Sequence, residues 1–320
     1  MRIPIKENRE KRQKGQRSMK EIKTAAVIGM GNLGIAYAQH LSKRMAKQDL
    51  RIIADRDRID RYEREQLFCN GERCDFNYIT PEETTGSADL ILITVKYGDL
   101  PETIQAIGNQ VGKDTLILSA LNGISSEGMI GEAYGMEKVL YCVAQGMDGI
   151  KDGNRLDFDH MGMLCFGDGE AGVISEKTRT VEAFFKKTGF PHEVEMDMMK
   201  RMWGKLMMNV GVNQTASVYL CNYGGLQTEG LARETMIAAM REVMPISEKA
   251  GFPLTETDLA YWLKVLGSLR PEGKPSMQQD VEAGKPTEVE LFSGTVIRLG
   301  KEYEISTPVN ESLYRSLSRD

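Results

Sequence analysis

Two kinds of apolar patterning divide the chain. In the first half, apolar residues come in short runs: AAVI at residues 25–28, LRIIA at 50–54, and the continuous DLILITV at 89–95 and TLILS at 115–119. Runs of this length that do not alternate are expected of parallel strands covered by helices on both faces. Another β-rich stretch spans roughly 139–168, and the polar segment 188–197 reads as a domain connection. Beyond it, residues 203–219 hold no Pro and are dominated by Met, Val, Leu and Ala. That composition predicts a largely buried helix. The resulting expectation is a basic tail at 1–19, a dinucleotide-binding domain at 20–195 and a helical substrate domain at 196–320.

Composition narrows the class. A chain of 320 residues with 41% hydrophobic and 27% charged residues is a folded protein too long for a single core. A net charge of −5 argues against nucleic acid or an anionic membrane surface as main partner. No stretch is apolar enough to span a bilayer, which needs about 18 residues or more. Eight Lys or Arg and two Glu among the first twenty residues, with no apolar core, do not make a secretory signal. This segment reads as a flexible tail, with a second start at Met19. Five cysteines without a CxxC pair read as reduced thiols in a cytoplasmic protein, and three histidines lack zinc-ligand spacing.

Chemistry enters at the first turn. Gly29, Met30, Gly31, Asn32, Leu33 and Gly34 follow the first strand and open a helix, a G-x-G-x-x-G spacing. Gly29 permits the tight turn, Gly31 lets a pyrophosphate approach the backbone, and Gly34 lets helix pack on strand. The helix start supplies free N–H groups for the phosphates. Asp55 closes the second strand, 21 positions beyond Gly34. Its carboxylate can accept from a ribose 2′-hydroxyl, favouring NADH, whereas Arg56 and Arg58 can hold a 2′-phosphate. Both cofactors stay open on this evidence.

Two further strands end in polar turns: Lys96 in VKYGD, and Asn122 in LNGIS. Both lie beyond strand carboxyl ends, where ligands sit in open α/β sheets. In the predicted long helix, Lys205, Asn209 and Asn213 recur every four residues. Each step of four turns the side chain about 40°, so the three share one ridge. Burying such groups without partners costs roughly 2–7 kcal/mol each, so the ridge must face partners, water or a ligand. Ser276, Asp280, Glu282, Glu288 and Glu290 are candidate partners. Glu288 stands at the start of an apolar-periodic helix, though spacing alone does not choose it over Glu290.

These motifs, in this order, resemble the ketopantoate reductase (2-dehydropantoate 2-reductase) family over most of residues 23–315. The resemblance rests on GMGNLG, the VK at Lys96, the LNG at Asn122, the K-x3-N-x3-N ridge, and the SMxxD…TE run from Ser276 to Glu288. It implies an α/β fold: an N-terminal Rossmann domain, a doubly wound parallel sheet, followed by an all-α domain. It further implies reduction of 2-dehydropantoate to pantoate, with NADPH preferred and NADH admitted by Asp55. Lys205 would be the general acid, and Glu288 would hydrogen-bond the product hydroxyl and help hold the lysine. Asn209, Asn213 and Ser276 would bind substrate, while Lys96 and Asn122 would line the junction of substrate and nicotinamide. A small 2-oxo acid is the expected partner, with room for a homodimer. Asp55 departs from the family, which often has a basic residue there. The rival readings are a 2-hydroxy-acid or sugar-phosphate dehydrogenase, and a non-catalytic NAD(P)H sensor.

Overall fold

The computed structural model describes residues 21–318; the basic tail expected at 1–19 lies outside the described residues. The chain opens with β1 (Ala25–Ile28), α1 (Asn32–Ser42), β2 (Leu50–Ile53), α2 (Arg56–Glu65), β3 (Phe68–Cys69), β4 (Glu72–Arg73) and β5 (Tyr78–Ile79). Next come β6 (Leu90–Ile93), α3 (Leu100–Ala106), β7 (Leu116–Ser119), α4 (Ser126–Tyr134) and β8 (Val139–Met147). The strands β9 (Ile150–Asp152), β10 (Arg155–Asp157) and β11 (Met161–Gly167), then α5 (Glu176–Thr188) and β12 (His192–Val194), complete the sheet half. Only helices follow: α6 (Met198–Tyr219), α7 (Tyr223–Gln227), α8 (Leu231–Lys249), α9 (Glu256–Gly267), α10 (Ser276–Glu282), α11 (Thr295–Glu302) and α12 (Pro308–Leu317), with a π-helical turn at Glu290–Gly294.

The main sheet runs β12-β11-β8-β7-β6-β1-β2-β5, parallel from β5 to β8, with β11 antiparallel to β8. Successive residues of β1 enter opposite cores. Ala25 and Val27 pack with Ile35 and Leu41 of α1, while Ala26 and Ile28 pack with Leu100, Ile107 and Ile130. Both faces are dry, which is why the strands are apolar without alternation. Each fully buried Val, Ile or Leu contributes about 1.5–3 kcal/mol. The strand order reverses between β1 and β6, so the crevice beyond their carboxyl ends is the ligand position of this fold. Ile28 pairs with Ile53 on one side and Ile93 on the other, which sets Gly29 level with Thr94.

Two features depart from the sequence reading. The segment 188–197, read as a connection, contributes β12, which joins the sheet edge by pairing His192 with Leu164 and Val194 with Phe166. A second small sheet, β4-β3-β10-β9, was not foreseen, because strands of two or three residues carry no periodic signal.

In the helical half, α6 begins ahead of the expected apolar segment. The Asp197 side chain accepts from the Lys200 N–H at 3.1 Å and caps it. The helices α8, α9, α10 and α12 pack around α6, which also touches β8 and so joins the halves. Leu206, Met207, Val210, Met236, Met240 and Phe292 form that core, together with Trp203 and Trp262.

Candidate active site

The glycine turn is built as a cradle. A Cβ on Gly34 would lie 1.7 Å from the Gly29 carbonyl oxygen, so only glycine lets α1 close on β1. Gly29 has φ +98°, and a Cβ there would meet the Thr94 and Val95 backbone at 2.8 Å. Gly31 differs. A Cβ there meets nothing closer than the Thr94 carbonyl at 4.0 Å, so the space before the start of α1 is open. No acidic side chain stands in that first helical turn. An open, uncharged space at a helix N-terminus fits a diphosphate. Met30 is buried in the core and offers only its main chain, Leu33 packs against the same core, and Asn32 donates to the Gly149 carbonyl at 2.7 Å.

Thr94 was missed in the sequence. Its hydroxyl donates to the Ile28 and Gly29 carbonyls at 3.0 and 2.7 Å, pinning the turn. Its place at the end of an apolar strand, level with Gly29, is the signal that could have found it.

Asp55 is the N-cap of α2 and accepts from the Arg58 N–H at 2.8 Å, with the Arg58 Nε 3.3 Å from its other oxygen. Arg56 points to Glu83 at 4.0 Å. All three side chains are more than half exposed.

The other candidates converge across the cleft into one polar chain. The Ser276 hydroxyl and the Met277 N–H donate to Asn213 Oδ1 at 3.4 and 3.3 Å. The Asn213 amide donates to Asn209 Oδ1 (3.3 Å), Asn209 to Asn122 Oδ1 (3.4 Å), and Asn122 to Glu288 Oε2 (3.5 Å). Lys96 closes the chain, 2.8 Å from Asp280 and 3.7 Å from Glu288. Burial opposes its charge, but Glu288 and Asp280 outweigh burial and hold the Lys96 amine above the usual lysine range. Glu288 precedes the π-helical turn, its carbonyl accepting from Phe292 at 3.2 Å while Val289 accepts from Gly294 at 3.0 Å. Such turns recur at functional sites. Glu290 instead faces Tyr314, and Glu282 binds Lys274, so of the four candidate acids Glu288 and Asp280 join the chain.

Lys205 lies on the same ridge but is held differently. Its amine donates to the Ala144 carbonyl on β8, not to Glu288 as the resemblance implied. Burial, more than any neighbour, brings its pKa down to about 8, Arg201 adding a like charge and Glu288 opposing the shift. Arg201 stands one turn before Lys205, and the sequence reading passed over it although it continues the four-residue spacing. It donates to Gln145 Oε1 at 2.9 Å and lies 3.7 and 3.8 Å from Glu193 and Glu195, with its Nε buried and unbonded.

Residues 25–169 match the ketopantoate reductase PanE/ApbA family, and residues 197–319 match its C-terminal part. The chain belongs to the ketopantoate reductase family. It is 29% identical over 290 residues to a 2-dehydropantoate 2-reductase of Aquifex aeolicus (strain VF5), covering 89% of this chain and 93% of that one. Its fold is similar to that of a 2-dehydropantoate 2-reductase of Geobacter metallireducens GS-15 (TM-score 0.79, 22% identity, 92% and 98% coverage). It is equally similar to a D-mandelate dehydrogenase solved with NADH and anilino(oxo)acetate (TM-score 0.80, 20% identity, 92% and 97% coverage). The described helices include none long and apolar enough to cross a membrane.

Proposed function

We propose that this member of the ketopantoate reductase family reduces a small 2-oxo acid, 2-dehydropantoate foremost, to its 2-hydroxy acid. The observation that carries the reading is the unbroken polar chain from Ser276 to Lys96, on the same helix as a partly covered lysine, in a chain whose glycine turn is open at Gly31. A reduced nicotinamide cofactor supplies the hydride when bound. The first-turn N–H groups of α1 and the Gly31 backbone would hold its diphosphate, with Asp55 and Arg56 at the adenosine ribose. Lys205 would give its proton to the carbonyl oxygen as charge builds there, and its depressed pKa suits that task near neutral pH. Asn209, Asn213 and Ser276 would orient the substrate carboxylate and polar groups, Glu288 would accept from the new hydroxyl, and Asn122 and Lys96 would line the junction. Positioning of this kind can lower a barrier by up to about 7–11 kcal/mol. The sheet and helical domains, meeting near residues 195–196, would close on the substrate and exclude water. We place the enzyme in the cytoplasm, in keeping with five free thiols, and expect a homodimer, like the dimeric ketopantoate reductase of Staphylococcus aureus with the same fold.

NADPH is the cofactor that family resemblance implies. Asp55 favours a second reading, NADH with a broader 2-oxo acid, because its carboxylate repels a 2′-phosphate and already engages Arg58. The fold shared with an NADH-bound D-mandelate dehydrogenase supports it. Initial rates of NADH and NADPH oxidation with 2-dehydropantoate, benzoylformate and branched 2-oxo acids test both readings. Cofactor binding without turnover on any of them removes the reductase.

A further inference from the structure

The loop that carries Asn122 is closed at its base by a buried relay. Ser119 ends β7 and Ser126 begins α4, and the Ser119 hydroxyl donates to the Ser126 hydroxyl at 2.9 Å. The Ser126 hydroxyl donates in turn to Glu127 Oε2 at 3.0 Å, while the Ser119 carbonyl accepts from Cys142 Sγ on β8 at 3.1 Å. All four residues are buried. From this base, residues 120–125 reach the helical half. Ile124 packs against its core, and a Cβ on Gly123 would lie 2.6 Å from Leu291.

Asn122 itself is loosely held. Its contacts with Asn209 and Glu288 measure 3.4 and 3.5 Å, at the long end of hydrogen bonding. Its place therefore depends more on the main chain of the loop than on its side-chain partners.

Glu127 is the unexpected member of the relay. An acid in the first turn of a helix is favoured by the N–H groups there and ordinarily faces water. This one is 1% exposed, has no ion pair among the described residues, and leaves Oε1 without a hydrogen bond. An apolar side chain of that volume would cost less to bury, so the carboxyl is not there for stability. What it supplies is the acceptor that orients Ser126.

We propose that Glu127 is a positioning residue for the reduction: through Ser126 and Ser119 it clips the base of the 120–125 loop and so sets where Asn122 stands. The proposal rests on the reading above, in which Asn122 lines the junction of substrate and nicotinamide. A shift of about 1 Å in such a group can cost roughly 10²-fold in rate.

A double-mutant cycle on kcat/KM with 2-dehydropantoate, combining Glu127→Leu with Asn122→Ala, tests this. Leucine keeps the volume and removes the acceptor. Glu127→Leu is expected to melt no lower than wild type, yet to lose about tenfold or more in kcat/KM. In the Asn122→Ala background the same change should lose nothing further. Glu127→Gln, which keeps an acceptor oxygen, should retain most of the wild-type rate. If Glu127→Leu does not fold, Ser126→Ala takes its place in the same cycle. Undiminished kcat/KM in the folded variant, equal losses in both backgrounds, or a Gln variant as impaired as the Leu variant each overturn the proposal. A wild type without turnover on any 2-oxo acid, or Asn122→Ala with full turnover, sinks the reading above instead. Hydrogen exchange over residues 119–126, followed by mass spectrometry, then decides the clip alone: faster exchange in Glu127→Leu sustains it, and unchanged exchange removes it.

Discussion

The Lys205 amine donates to the Ala144 carbonyl, so a main-chain group on β8 aims the lysine that α6 carries. A carbonyl fixes direction without adding a full negative charge, and burial then governs the amine. As a general acid, Lys205 must be protonated. Turnover is therefore expected to be full below pH 8 and to fall as pH rises through about 8. Glu288 raises this pKa and Arg201 lowers it. Glu288→Gln should move the alkaline limb of the kcat/KM profile down, and Arg201→Met should move it up. Lys205→Ala should retain cofactor binding while turnover drops about 10²–10⁴-fold. A profile whose alkaline limb ignores all three substitutions takes the lysine out of the reaction.

Gly31 and Gly34 separate binding from folding. Gly34→Ala drives a methyl group into the Gly29 carbonyl and should cost about 1–3 kcal/mol or more, read as a lower Tm. Gly31→Ala meets only open space and should melt like wild type. Its methyl group occupies the cradle, so NAD(P)H affinity should fall at least tenfold by fluorescence titration. Equal cofactor binding by Gly31→Ala and wild type would place the diphosphate elsewhere.

Asp55 couples cofactor choice to a helix cap. Asp55→Ala removes the carboxylate that accepts from the Arg58 N–H, at a cost of about 1 kcal/mol in stability. It also frees Arg58 for a phosphate. The ratio of kcat/KM for NADPH over NADH should rise at least tenfold, a change that a merely destabilised variant would not produce.

Glu127 is a buried carboxylate, 1% exposed, with Oε1 lacking a hydrogen bond. Burial raises its pKa to about 7, against an ordinary 4.5. The folded state therefore binds the extra proton between pH 4.5 and 7, and stability falls as pH rises through that window. The full penalty above pH 7 is about 3 kcal/mol. Glu127→Gln should melt higher than wild type at pH 8 and match it at pH 4.5. Parallel pH–Tm curves for the two proteins would contradict this.

Strands β1, β2, β6 and β7 were legible as non-alternating, mostly apolar runs because their alternate residues enter two dry cores. The Lys205–Asn209–Asn213 ridge was legible because an α-helix converts a fixed spacing into a shared face. Arg201 obeys the same spacing but lies before the apolar segment 203–219, so composition does not mark it. Thr94 left little trace, since it bonds residues more than sixty positions earlier, and the strands of the small sheet are too short to carry a period.

Local backbone geometry and burial periodicity thus determined the glycine cradle, the doubly wound sheet and the polar ridge from the sequence alone. Only the tertiary structure decided that Asn122, Glu288 and the ridge form one hydrogen-bonded chain and that Lys205 answers to Ala144. Those outcomes depend on contacts between segments 60 or more residues apart. Chain closure over such distances leaves no mark in local spacing, because the packing of two separate cores decides which side chains face each other.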